Sequence, residues 1–439
     1  MHHRAHPSWR TTVSAFAITA FVADCRSQSE GSVTAPRVEQ EEPNIEPSAD
    51  REWIGGAPWT DWTRASGDWR GARSWLEEHG VEVDISMTAD WGANWRGGAR
   101  NRETLMTLPD FNIAFDLERL LGLPRTLAFV DCYAPAGQGL AGDIGTYQGV
   151  SNIEAFRTSQ VAEAWIETHL GDSIRFKFGK VDFNSEFAFS EVASEFLNPS
   201  GGVSPTLQAG PTFPATATSA NLFVMPTEFS YIGIGVYDGA GVVGVNTGSQ
   251  GFSGFFRSDE SDDYFTIVEA GTGWAGGNSW GSGRLAIGGW YHGEQFDRFD
   301  GGTERGAHGG YAILDQFVWR ENPDDADDAQ GLGVTANVAF SASDDVMTAP
   351  RHFQAGVVWT GPFAHRDDDA LGFLVSYAGL SEATGSPYVG AETILELVYR
   401  FQVTPAVILR PDLQFVMNPG GDPALDDALV GMLRVEITF

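Results

Sequence analysis

The sequence predicts an all-β chain: a transmembrane antiparallel β-barrel of about 16 strands, with a short N-terminal helix and a constriction loop folded inward. Three observations carry this expectation. Apolar and polar residues alternate with period 2 along most of the chain, the polar faces of these strands bear full charges, and past residue 30 no apolar run is long enough to cross a bilayer as a helix. The last stretch is the clearest. Leu429, Gly431, Leu433, Val435, Ile437 and Phe439 fall on one side, and Val430, Met432, Arg434, Glu436 and Thr438 on the other. A face that is apolar throughout, backed by one with an arginine and a glutamate, suits a wall between lipid and water, and Phe439 reads as an assembly signal.

Composition narrows the function. With 59 Asp and Glu against 27 Lys and Arg, the net charge of -32 would repel a nucleic-acid backbone. Cys25 and Cys132 are too few for a disulfide framework, and no zinc-ligand spacing occurs, so neither metal nor cofactor is expected.

Taken in order, residues 1–27 read as an export signal, a basic, histidine-rich start followed by an apolar stretch over 13–23. Asp24 stands where a cleavage or lipidation site at Cys25 would want a small residue. Residues 28–62 form an acidic linker with Pro36, Pro43, Pro47 and Pro58. Residues 63–80 hold a short amphipathic helix, capped by Ser66 or Asp68 and stopped at Gly80. Trp69 and Trp75 are expected to dock it, with Arg70 and Arg73, at the barrel mouth. Residues 81–439 form the barrel. Strands are expected to start near 81, 108, 125, 160, 173, 218, 228, 264, 282, 309, 331, 351, 370, 391, 405 and 428. Long connections over 96–107, 134–159, 182–217 and 238–263 alternate with tight turns at 171–172, 226–227 and 404–405, the pattern of an outer-membrane barrel. Aromatics near strand ends, among them Trp91, Trp95, Tyr133, Tyr231, Tyr237, Trp290, Tyr291, Trp319, Trp359 and Tyr377, suit interfacial girdles.

Strand parity places Glu163, Trp165, Glu167 and His169 inside, with Arg175, Lys177, Arg284, Trp290 and His292. Arg400, Arg410, Asp412 and Gln414 face the same way. Acids and bases therefore share a polar lumen. A sugar is a polyol with apolar C–H faces, so a sugar channel needs paired hydrogen-bonding groups and an aromatic plane, for which Trp165 and Trp290 are the candidates. By the same parity, arginine is expected to be harmful at Leu397 or Phe415 and tolerated at Glu396 or Gln414. The connection over 182–217 holds Phe183, Phe187, Phe189, Phe196, Leu197 and Leu207, too much oil for a loop in water. It is expected to fold against the inner wall and narrow the pore, with Glu186, Glu191, Glu195, Phe196 and Asn198 as constriction-loop residues.

Several motifs in order resemble the carbohydrate-selective porins of the OprB type. These are the run Gly67-Asp68-Trp69-Arg70-Gly71-Ala72-Arg73, then Gly149-Val150-Ser151-Asn152-Ile153-Glu154-Ala155, Phe178-Gly179-Lys180, Glu186-Phe187 and Phe196-Leu197-Asn198. Val236-Tyr237-Asp238-Gly239, Gly288-Gly289-Trp290-Tyr291-His292, Glu392-Thr393-Ile394-Leu395-Glu396, Pro411-Asp412-Leu413-Gln414 and Asn418-Pro419-Gly420-Gly421 follow. The resemblance spans residues 66–439. It implies a sixteen-stranded porin integral to the bacterial outer membrane, through which small sugars diffuse passively. Outer-membrane lipid and the barrel assembly machinery would be its other partners, and a homo-oligomer is compatible with it. The N-terminal segment would lie in the periplasm. Arg70 departs from the family's more usual glycine, as do the acidic extension and the strongly negative charge. Competing readings are a general or ion-selective porin, an adhesive barrel and a barrel enzyme. The last would need serine, histidine and acid within reach, and His169 and His292 come with no strand-to-helix nucleophile elbow.

Overall fold

The computed structural model describes residues 61–155, 159–239, 241, 247, 263–276, 281–322 and 329–439. The expected export signal and nearly all of the linker lie outside them. Strands β1 (Val81–Gly98), β2 (Arg102–Asp116), β3 (Thr126–Tyr133), β4 (Ala136–Gly137), β5 (Gln160–Leu170), β6 (Ile174–Val181), β7 (Ala217–Thr227) and β8 (Ser230–Asp238) make the first half. β9 (Tyr264–Trp274), β10 (Gly283–Asp297), β11 (Thr303–Arg320), β12 (Gly331–Ser341), β13 (Arg351–Thr360), β14 (Ala370–Gly379), β15 (Ala391–Thr404), β16 (Val407–Met417) and β17 (Asp426–Thr438) make the second. Each long strand pairs antiparallel with the next, β3 pairs β5, and the two-residue β4 sits against β2. β17 returns to β1, with Asp90 opposite Arg434 and Ala89 opposite Val435, so the sheet closes and leaves no long edge unpaired. The architecture is a barrel of sixteen strands plus one short extra strand.

Fourteen of the sixteen expected starts fall within three residues of an observed start, while β11 begins earlier, at Thr303, and so does β2, at Arg102. The expected long connection over 96–107 is replaced by a tight hairpin between Gly98 and Arg102, because β1 and β2 run on past the apolar belt. Beyond lipid both faces of a strand can be polar, which hides the ladder from a periodicity argument.

The faces are inverted relative to a soluble protein. Leu397, Leu413 and Leu433 are exposed on the outside, while Glu396 and Gln414, beside them in sequence, are fully buried inside. Such a sign reversal is stable only when the solvent outside is lipid. No helix among the described residues is long and apolar enough to cross a membrane. Trp91, Trp95, Tyr291, Trp319, Trp359 and Tyr377 are exposed on the outer wall. Tyr133, Tyr231 and Tyr237, expected in the girdles, instead point inward and are buried, since they sit on the parity of the lumen face, and Trp290 takes the inward side that strand parity gave it.

At the rim where β1 starts, the helix runs over Ala72–Glu78, within the expected 63–80 stretch. Trp69, Arg70 and Gly71 take positive φ angles of 51°, 61° and 86°, turning the chain before the helix can begin. Asp68 Oδ1 accepts from the Ser74 N–H at 2.9 Å. Arg73 lies beneath the Trp69 ring at 4.1 Å and donates to the Phe439 carbonyl at 2.8 Å, so the helix is fastened to the β1–β17 seam. Burial, together with Arg64, pulls the Arg73 guanidinium down to about 10. Trp75 does not dock: it is 56% exposed and stacks on His79.

Candidate pore constriction

Two connections on the opposite rim fold into the lumen. The longer runs over 182–216 between β6 and β7. Its base is closed by Asp182, whose carboxylate accepts from the Asn184 N–H at 2.8 Å and from the Phe213 N–H at 2.9 Å. Phe183, Phe187, Phe196, Leu197 and Leu207 are all buried against the inner wall. Phe187 stacks on Phe223 of β7 with ring centroids 5.0 Å apart. Phe196 lies over Gly356 of β13 and Gly372 of β14. A Cβ at Gly372 would come within 2.9 Å of the Phe196 ring, so only glycine leaves room there.

The polar side of this packing has one recurring form: a wall carboxylate accepts backbone N–H groups of the inserted chain. Glu269 of β9 accepts from Ala188 N at 2.8 Å, and Asp315 of β11 from Glu191 N at 3.0 Å. Glu396 of β15 accepts from Leu197 N at 2.6 Å and Asn198 N at 3.2 Å. Glu392, four residues earlier on the same face of β15, accepts from Tyr147 N and Gln148 N of the shorter inserted connection, both at 2.8 Å. A coil brought inside a barrel loses water for its amides, and these acids replace it. Glu186 completes the set from the loop side, holding Arg175 and Lys177, each at 2.5 Å.

The two inserted connections also meet. Asn198 Nδ2 donates to the Gly149 carbonyl at 2.9 Å, Asn152 N donates to the Leu197 carbonyl at 2.8 Å, and Gln414 Nε2 donates to the Val150 carbonyl at 2.7 Å. The motif over 149–155 and the motif over 196–198 thus form one body on the β14–β17 wall.

What remains half-exposed is a charged rim. Glu195 bridges Arg400 at 3.0 Å and Arg410 at 2.9 Å, and Arg410 also reaches Glu436 at 3.2 Å. Behind it Arg434 grips Asp90 with two bonds of 2.7 and 2.8 Å and donates to Asn152 Oδ1 at 2.7 Å. Across the lumen, Arg175 pairs with Glu167 at 3.1 Å, and His169 lies 3.2 Å from the same carboxylate.

Of the residues expected to line a pore, Glu163, Glu167, Arg175, Arg400 and Arg410 are only partly buried. Lys177, Arg284, His292, Asp412 and Gln414 face inward as expected but are buried beneath the inserted chain or against neighbouring wall residues. Trp165 and Trp290 offer no free plane for a sugar. Trp165 is 6% exposed, with the Lys177 ammonium 3.8 Å over its ring, and Trp290 is 4% exposed and packs on Phe265. Among the loop residues, Glu195 reaches the rim, Glu191 is partly buried with its N–H on Asp315, and Glu186, Phe196 and Asn198 serve as buried anchors. Asp90 and Asn152 are rim partners that periodicity did not single out. The pairing of Asp90 with Arg434 exists only once the first strand meets the last.

A closed sixteen-strand barrel with an apolar belt outside, charges inside and a loop across its lumen is a porin, a channel rather than an enzyme, integral to the bacterial outer membrane. Residues 102–439 match the family described as "Carbohydrate-selective porin, OprB family", and the chain belongs to it. It is similar to "Putative porin QuiX" of Acinetobacter baylyi, 24% identical and covering 89% of this chain and 94% of that protein. It is similar also to Porin B of Pseudomonas aeruginosa, 23% identical over 85% of this chain and 90% of the other. The high-pH structure of Pseudomonas putida OprB shares the fold with a TM-score of 0.76 at 19% identity, covering 87% of this chain and 100% of that one.

Proposed function

We propose that small sugars diffuse passively through the part of the lumen that the 182–216 loop leaves open, and that Glu195, Arg400, Arg410 and Glu436, at the edge where the loop lies on β15–β17, are the groups they meet there. The observation that carries this reading is the rim itself: guanidinium donors and carboxylate acceptors, side by side and only partly buried. A polyol crossing a constriction must exchange each water on its hydroxyls for a protein partner, and vicinal hydroxyls match a guanidinium fork beside a carboxylate. One such exchange is worth about 0.5–1.5 kcal/mol, enough to favour entry and too little to trap the solute.

Residues 1–27 would export the chain and be removed, and 28–62 would lie in the periplasm beside the helix rim. Phe439, the residue that follows β17, would be read by the barrel assembly machinery. Liposome swelling tests the reading. Glucose should enter faster than an amino-acid zwitterion of similar size, and maltose and sucrose progressively more slowly. Equal rates for glucose and the zwitterion would reduce the protein to a general diffusion pore.

A further inference from the structure

We propose that Asp412 and Glu396 form a proton-binding site beneath the inserted chain, and that the one proton they share holds the constriction in place. This seating rests on the loop narrowing the lumen, and it holds whichever solute passes.

Four wall acids accept N–H groups of the inserted connections, and three of them are completed by ordinary donors. Glu269 also accepts from the Tyr231 and Tyr311 hydroxyls and from Arg284. Asp315 accepts from the Ser190 hydroxyl at 2.5 Å, and Glu392 from the Thr146 hydroxyl at 2.9 Å and from Gly420 N at 2.6 Å. Glu396 differs, because its side-chain partner is another acid. Asp412 of β16 stands two residues from Gln414, the register partner of Glu396, and the two carboxyl groups are in hydrogen-bond contact. Both are buried, and neither makes an ion pair among the described residues.

The charged groups around them are committed elsewhere. Arg400 of β15 goes to Glu195 of the loop, Arg410 of β16 to Glu195 and to Glu436 of β17, and Arg434 of β17 to Asp90 of β1. Two ionised carboxylates in contact, buried and without a cation between them, repel strongly, so the pair keeps one proton. Its place follows from the other bonds. Both Glu396 oxygens accept from the loop, and Asp412 Oδ1 accepts from Gln414 Nε2 at 2.9 Å, whereas Asp412 Oδ2 is buried without a donor. A hydroxyl at Asp412 Oδ2 donates to the Glu396 carboxylate and satisfies both groups.

The site serves both insertions. Glu396 seats Leu197 and Asn198, while Asp412 orients Gln414, which donates to the Val150 carbonyl and accepts from Asn198 Nδ2 at 3.2 Å. Loss of the proton sets two negative charges against each other under these bonds. The insertions should therefore loosen as pH rises and tighten again as it falls.

The test follows full-length wild type and Asp412→Asn, in planar bilayers and by infrared spectroscopy in deuterated buffer, from about pH 6 to about pH 10. Asparagine keeps a donor toward Glu396 and cannot ionise. Wild-type single-channel conductance should rise reversibly by about twofold over this range, less than excision of the loop would give. Asp412→Asn should abolish the rise. The wild-type spectrum should also contain one carboxylic C=O band that the variant lacks, fading in step with the rise in conductance. A flat wild-type conductance, a rise that persists in the variant, or identical carboxylic bands in the two proteins each overturn the proposal. If the variant does not assemble, the wild type decides alone, since a band that fades without a change in conductance breaks the link between proton and loop. Equal entry of glucose and a zwitterion, the result that removes the sugar reading, leaves these readouts untouched.

Discussion

The two halves of the inserted loop are held in different ways. From Phe183 to Phe189 the chain enters an aromatic layer of the β6–β11 wall, with Phe223, Phe265 and Trp290 around it, and one buried ionic knot at Glu186. From Glu191 to Asn198 it lies on the β11–β17 wall, fixed by carboxylates that accept its N–H groups and ending at the half-exposed Glu195. The first half holds the loop in place, because aromatic burial and a desolvated ion pair are lost only together with the local fold. The second half presents chemistry to the lumen, because carboxylate-to-amide bonds fix a backbone while leaving side chains free to face water. A constriction has to be both rigid and wet, and here the two demands fall on successive stretches of one segment.

The sharpest test of this division is excision. Replacing residues 191–212 with a short Gly-Ser link removes the presenting half and spares the anchoring half. Single-channel conductance should rise severalfold and discrimination between glucose and maltose should vanish, while the barrel still shows a heat-dependent gel shift. Unaltered conductance would mean that the 134–155 insertion alone sets the bore.

Glu186→Ala attacks the anchor instead. It strips the carboxylate from two buried cations at once, and the expected loss is about 3–5 kcal/mol, read as a lower urea midpoint in detergent. A loss below about 1 kcal/mol would show that Glu167 alone can hold Arg175 and Lys177.

Leu397→Arg and Glu396→Gln compare the two faces of one strand. Arginine on the lipid side should cost about 2–4 kcal/mol near mid-bilayer and reduce assembled protein. Glutamine at 396 should cost about 1–3 kcal/mol, because one oxygen that accepts from Leu197 and Asn198 becomes an NH₂ group. The expectation that inner positions 396 and 414 tolerate even arginine does not survive the structure. Both are completely buried under the loop, and a longer cation there has no room. Urea titration and bilayer conductance on the same preparations separate the outcomes, with lost assembly for the first and shifted conductance for the second.

Asn152→Ala should have the smallest effect, about 1 kcal/mol or less. Arg434 keeps both bonds to Asp90, and what is lost is one acceptor and a long 3.5 Å donor contact to the Phe196 carbonyl. A large drop in stability would move Asn152 from the presenting group to the anchors.

How much of this was legible in sequence depends on the range of the interaction. Strand positions and faces were, since period 2 is a local signal and lipid makes the contrast between Leu397 and Glu396 absolute. Insertion of the 182–216 connection was also legible, because its aromatic content is incompatible with water wherever it lies. The hairpin at 99–101 was not, since strands outside the apolar belt lose their alternation. Nor was the burial of Trp165, Trp290, Lys177 and Gln414: parity gives the side of the wall on which a residue sits and says nothing of what lies on top of it.

The sequence by itself therefore determined that this chain is a barrel, which face meets lipid, and that a loop must go inside, because each follows from hydrophobic burial over short stretches. Only the tertiary structure decided which inward charges stay at the opening. Asp90 and Arg434 become neighbours when β1 meets β17, Glu195 meets Arg400 when the loop lies down on β15, and the acids at 269, 315, 392 and 396 become amide acceptors rather than pore charges. Such pairings join residues hundreds of positions apart through barrel closure and loop insertion, and no local period encodes them.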